Sequence, residues 1–172
     1  MLRIDLPSEL NRLVLGDRER IAGTVYGTIV VLASLTAGAS ANEHDLWQLD
    51  AIIGVSVVIL WLAHVYSQGL GESLDSGRRL TAPELAAIAR RELSIPLAAV
   101  LPMTVIALGA LDVFQHRTAL WLALGSGVAT LTAQGVRYAQ LEHLSRTATI
   151  GTVALNLVLG LVIVALKAIV VH

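Results

Sequence analysis

The chain contains no cysteine, which excludes disulfide frameworks, thiolate metal sites and cysteine nucleophiles. It is also poor in aromatic residues, with a single Phe, and has only two Met and four Pro. Eleven of its twelve basic residues are Arg, Lys167 being the exception, a bias that with the abundance of Ala, Val, Leu and Gly suggests a GC-rich bacterial genome. Charged residues make up 15% of the chain and the net charge is -1, so no field of one sign is available to attract nucleic acid. The opening stretch MLRIDLPSELNRLVL has no continuous apolar core and no small-residue cleavage site, so no signal peptide is expected and the chain is expected to begin at Met1. No Walker loop, nucleophile elbow or zinc-protease motif is present. The histidines at 44, 64, 116, 143 and 172 lack metal-ligand spacing. Enzymatic chemistry has no visible apparatus, and an enzyme is not expected.

What the chain has in abundance is apolar sequence: 55% hydrophobic residues and a mean hydropathy of +0.72. A single small soluble core cannot hide that much, and lipid is expected to cover it. Five apolar runs, residues 21–40, 49–70, 95–113, 118–136 and 148–171, each approach the ~20 residues that span a bilayer. The fold expected is therefore an all-α integral membrane protein of five transmembrane helices in one domain, residues 1–172. Lys and Arg number four before the first run, none in the first loop and four in the second, then one, two and one. By the positive-inside rule this alternation puts the N-terminus in the cytoplasm and the C-terminus outside. Trp47, Trp121, Tyr66 and Tyr138 fall at run ends, where aromatic anchors sit. Lys167 is expected to snorkel to the outer surface. The location expected is the plasma membrane of a bacterium, with multiple passes.

Two short helices are expected outside the lipid. The first covers Pro7 to Asp17, where Leu6, Leu10, Leu13 and Val14 recur beside Glu9, Arg12 and Asp17, and would rest on the membrane surface. The second begins at the capping box Thr81-Ala82-Pro83-Glu84 after an Asp75-Ser76-Gly77 hinge and runs to Leu93.

Ionisable groups inside a span are expensive and are the default functional candidates. In the second run Trp61, His64, Gln68 and Glu72 recur every three or four residues and line one helix face. The alternative is that Glu72 sits among headgroups and His64 only bonds a neighbouring helix. In the first run Gly23 and Gly27 form a small-xxx-small surface for helix packing, with Tyr26 between them. Thr149, Thr152 and Asn156 share a face of the last run and read as interhelical glue, and Pro102 is expected to kink the third.

The first run reads Arg20-Ile21-Ala22-Gly23-Thr24-Val25-Tyr26-Gly27 and closes on Leu35-Thr36-Ala37-Gly38. The second ends Ser67-Gln68-Gly69-Leu70-Gly71-Glu72-Ser73-Leu74, and the third carries Pro96, Ala98, Ala99 and Gly109-Ala110. In this order the segments resemble the vacuolar iron transporter family, whose first span holds an Arg and a G-x-x-D-G motif and whose second ends in S-M-A-x-G-E-Y-L-S. The resemblance implies five spans, a cytoplasmic N-terminus, a homodimer, and transport of a divalent metal such as Fe2+ or Mn2+ with proton exchange. In the family the metal path uses the Asp of span one and the Met and Glu of span two, beside a long cytoplasmic helical insertion. Here Tyr26 stands at the Asp position, Gln68 at the Met position, and Glu72 is kept, while the insertion shrinks to the short helix from Thr81 to Leu93. The resemblance thus implies a rebuilt ion site of Glu72, His64, Gln68 and Tyr26, with Glu72 and His64 as metal ligands. Two alternatives stand beside it. One is a member that kept the fold but not transport and serves as a scaffold or subunit beside other membrane proteins. The other is a small cation channel, since Trp61-Leu62-Ala63-His64 is similar to a Trp-x-x-His stretch in a lysosomal-type potassium channel family.

Overall fold

The computed structural model describes the backbone over residues 8–41 and 45–170 and the side chains over residues 20–38 and 45–165. Six α-helices make up the described residues: α1 (Ser8–Ala41), α2 (Leu46–Ser76), α3 (Ala82–Arg91), α4 (Ser94–Ala110), α5 (His116–Leu141) and α6 (Arg146–Val170). Four of them are long and apolar enough to cross a bilayer, and α3 with α4 makes a fifth when the bent pair is taken as one span.

Local chemistry explains the boundaries. Asp45 opens α2 by accepting the Gln48 N–H at 3.0 Å, and Gly77 closes it at φ +65°, a left-handed turn that L side chains resist. Glu84 opens α3, its carboxylate taking the Thr81 N–H at 2.7 Å and the Thr81 hydroxyl at 2.8 Å. Pro96 lies in the first turn of α4, where a missing N–H costs least.

Two expectations are revised and one is met. The surface helix before the first span is not a separate element, because α1 runs unbroken from Ser8 to Ala41. No proline interrupts that stretch, and a lone Gly16 costs only about 1 kcal/mol against Ala; the side chains of its expected apolar face lie outside the described residues, as does Lys167. The expected short helix after Gly77 is present as α3, which starts at the capping box and joins α4 at a bend of 45°. That bend falls between Arg91 and Ser94, whereas Pro102 lies inside a continuous α4. At 17 residues α4 is about 25 Å long, short of the ~30 Å hydrocarbon layer, so it counts as a fifth span only when α3 is taken with it.

The helices run up and down. Gly38 approaches Leu49 while Tyr26 meets His64, and Gly127 approaches Leu32 while Val25 shares a pocket with Gln134 and Tyr138, which sets α2 and α5 antiparallel to α1. Gly135 meets Asn156 and Gly160 meets Leu131, so α6 returns along α5. α4 runs parallel to α1: a Cβ on Gly23 would collide with the Ser94 hydroxyl, and one on Gly27 with the Ile95 carbonyl oxygen. These two glycines therefore let α1 and α4 approach backbone to side chain. The core between them is one cluster, with Val31, Leu32 and Leu35 of α1, Leu49, Ile53 and Val57 of α2, Ala99 and Ile106 of α4, and Ala123, Leu124 and Leu131 of α5.

This arrangement gathers Arg20, Arg78, Arg79, Arg90, Arg91, Arg137 and Arg146 at one end of the bundle. Among the described side chains Arg117 is the basic group at the other.

Candidate functional site

The polar face of α2 meets the bend between α3 and α4. Pro96 has no N–H to return to the Glu92 carbonyl, and its ring crowds that carbonyl, so a break at Glu92 relieves a position that a continuous helix would leave unbonded. The Ile95 N–H instead closes a tighter turn on the Glu92 carbonyl at 3.1 Å. The break turns the Glu92 side chain inward, and the residue is only 7% exposed, the most buried carboxylate among the described residues.

Three contacts tie α2 to this break. The Trp61 indole donates to the Ala89 carbonyl at 3.1 Å. His64 Nε2 stands 3.6 Å from Glu92 Oε2. Arg91 Nη2 donates to Glu72 Oε1 at 3.0 Å, and Arg91 Nε lies 3.7 Å from Glu92 Oε1. From α1, the Tyr26 ring tilts over the His64 ring with centroids 5.7 Å apart.

Of the four residues expected to form the site, the structure thus brings Tyr26 and His64 together. Glu72 is engaged by Arg91 and does not join His64. Gln68 shares their helix face but is exposed. No group of three or more His, Asp or Glu that could hold a metal ion occurs among the described residues. His64 and Glu92 therefore offer two ligands, and an ion held between them would need water for the rest of its shell.

The charge balance of the cluster has a direct chemical meaning. Glu72 and Glu92 with Arg91 leave one negative charge while the His64 imidazole is neutral. One positive charge removes it, and a divalent cation would reverse it to one positive charge. By helix rise, His64 lies about 27 Å from Leu46 along α2 and Glu72 about 39 Å, so a ~30 Å layer beginning at Leu46 would hold the His64–Glu92 pair near its far edge and leave the Glu72–Arg91 pair beyond it.

Glu92 was not visible as a site residue in the sequence because it reads as the polar end of a surface helix. Its signal is Pro96, four residues on, which favours a break at the carboxylate. Asp50 is the second such residue: Leu46, Asp50, Ile53 and Val57 recur at helical spacing on the core face, and Asp50 Oδ1 is buried without a hydrogen-bond partner. No family model, curated protein or solved structure matches this chain.

Proposed function

We propose that this chain is a multi-pass membrane transporter that moves a divalent cation such as Fe2+ or Mn2+ against protons, with the His64–Glu92 pair as its exchange site. The observation that carries the reading is a buried carboxylate facing an imidazole at the break of a bent apolar span. Interrupted spans of this kind place ion-binding groups at membrane depth, where a charged residue is otherwise costly. The net negative charge of the cluster attracts either a proton or a cation, which supports exchange of one for the other. Clustering of arginines at one end supports a cytoplasmic N-terminus in a bacterial plasma membrane. The resemblance to the vacuolar iron transporter family in spans one to three supports a metal substrate and a homodimer.

Purified protein in liposomes, with entrapped dyes for Mn2+ and for pH, tests this reading. Mn2+ flux coupled to opposite proton flux is expected, with both lost in Glu92→Gln. Flux that survives Glu92→Gln combined with His64→Ala would sink the assigned site.

A second reading, a non-transporting subunit, is favoured by the outer face of α6. Ile150, Leu155, Val158 and Leu161 are exposed there beside an apolar groove of about 610 Å³ shared with α5. It predicts no flux and a membrane protein that co-purifies.

A further inference from the structure

The α2–α4 seam continues past the His64–Glu92 pair toward the opposite end, and it carries one more ionisable group. Leu46, Asp50, Gly54, Val57, Trp61 and His64 recur every three or four residues, so they occupy one face of α2. Contacts on either side of Asp50 fix what that face meets. A Cβ on Gly109 would lie 2.9 Å from Leu46 Cδ1, and one on Gly54 3.1 Å from Met103 Cε. Asp50 falls between them, at the level of Ile106, which is fully buried. The α4 segment there is Val105-Ile106-Ala107-Leu108, with no side-chain donor, and the nearby Thr104 hydroxyl is spent on the Val100 carbonyl at 2.7 Å. Hence Asp50 Oδ1 is buried with no hydrogen-bond partner.

The other ionisable groups of this end, among the described residues, do not relieve it. Asp45 is exposed and caps α2, Asp112 and Arg117 are exposed, and His116 Nε2 is itself buried without a partner. A carboxylate oxygen facing an apolar wall is costly, and a bound proton removes the charge. A metal ion would need several oxygen ligands, which this wall lacks.

We propose that Asp50 is a protonation site at the mouth opposite the arginine-rich end, taking up and releasing a proton on that side of the same transport path. About 21 Å of helix separates Asp50 from His64, and the fully buried Ile53 and Val57 lie between them. This apolar stretch separates the two stations, so a proton bound at Asp50 is not shared with His64 while the seam is packed in this way. The proposal rests on the transport reading for its direction of use, whereas the protonation of Asp50 rests on the unpartnered Oδ1 of a half-buried side chain.

Infrared difference spectroscopy on the purified protein in membranes, stepped in pH, reads protonated carboxyl groups directly. A carboxylic C=O band is expected that is absent in Asp50→Asn, shifted in Asp50→Glu, and retained in His64→Ala. In liposomes, proton flux driven by a Mn2+ gradient is expected to fall about tenfold or more in Asp50→Asn and to be partly restored in Asp50→Glu. A band spectrum unchanged in Asp50→Asn overturns the protonation site. Coupled proton flux unchanged in Asp50→Asn overturns its place on the path. Wild-type protein that moves neither ion overturns the transport reading, and the infrared band still decides whether Asp50 holds a proton.

Discussion

Pro96 stands four residues beyond Glu92, so its ring occupies the place where a straight helix would return an N–H to the Glu92 carbonyl. The 45° bend between α3 and α4 falls there, and the bend aims Glu92 at His64. One imino acid thus links backbone chemistry to the charge arrangement of the site.

Replacing that proline tests the link. Pro96→Ala restores the N–H and removes the clash, so α3 and α4 are expected to straighten and Glu92 to leave His64. The absence of native cysteine makes the measurement clean, because spin labels on Leu74→Cys and Ala86→Cys report the α2–α3 distance without background. A shifted or broadened distance distribution in Pro96→Ala is expected. An unchanged distribution would show that the Trp61–Ala89 bond and the ion pairs, not the proline, hold the bend.

The start of α3 depends on pH in a window set by Glu84. Its hydrogen bond to Arg78 Nη2 at 2.5 Å, with those from Thr81, holds its carboxyl down at about 2, below the ordinary 4.5. A depressed carboxyl contributes stability that is complete above the unfolded value and disappears as pH falls from about 4.5 through about 2. Both partners are solvent-exposed, so the effect is local and modest. Hydrogen exchange over residues 82–91 is expected to show α3 loosening in that window. Glu84→Gln, compared at each pH, should be loosened already at neutral pH and lack the transition.

The glycines separate packing from propensity. A Cβ on Gly27 meets the Ile95 carbonyl, which is backbone and cannot swing aside. Gly27→Ala is therefore expected to cost about 1–3 kcal/mol by forcing α1 from α4. Gly71→Ala, where a Cβ meets nothing within 4 Å, should be neutral or gain up to about 1 kcal/mol from helix propensity. Thermal unfolding in detergent distinguishes the two, and equal shifts would remove the close-approach explanation for Gly27.

Much of this architecture was legible in the sequence, for reasons that differ by element. Apolar runs located the spans, since length and hydropathy are local properties. The Thr81–Glu84 box and the Gly77 turn located the ends of α3 and α2, because capping is also local. The boundary between the short helix and the third run was legible, but the burial of Glu92 at it was not, because hydropathy begins the third run after the acid and assigns it to a surface helix. Partner choice was the least legible property. His64, Gln68 and Glu72 share a face, but only the tertiary placement of Arg91 shows that Glu72 is engaged there while His64 faces Glu92.

If His64 and Glu92 act as one exchange site, their losses cannot multiply. Glu92→Gln leaves the imidazole without its counter-charge, and His64→Ala leaves a buried carboxylate with Arg91 alone. Each single variant is expected to lower coupled Mn2+ and proton flux by about tenfold or more, the scale of a lost proton-transfer partner. The double variant should be no slower than the slower single, the signature of two groups working as a unit. The pH dependence is the sharper readout: wild-type flux should depend on proton uptake by the pair, and the profile should flatten in both singles. Should the losses multiply and the profile keep its shape, His64 and Glu92 act independently, and their 3.6 Å approach is packing around the bend.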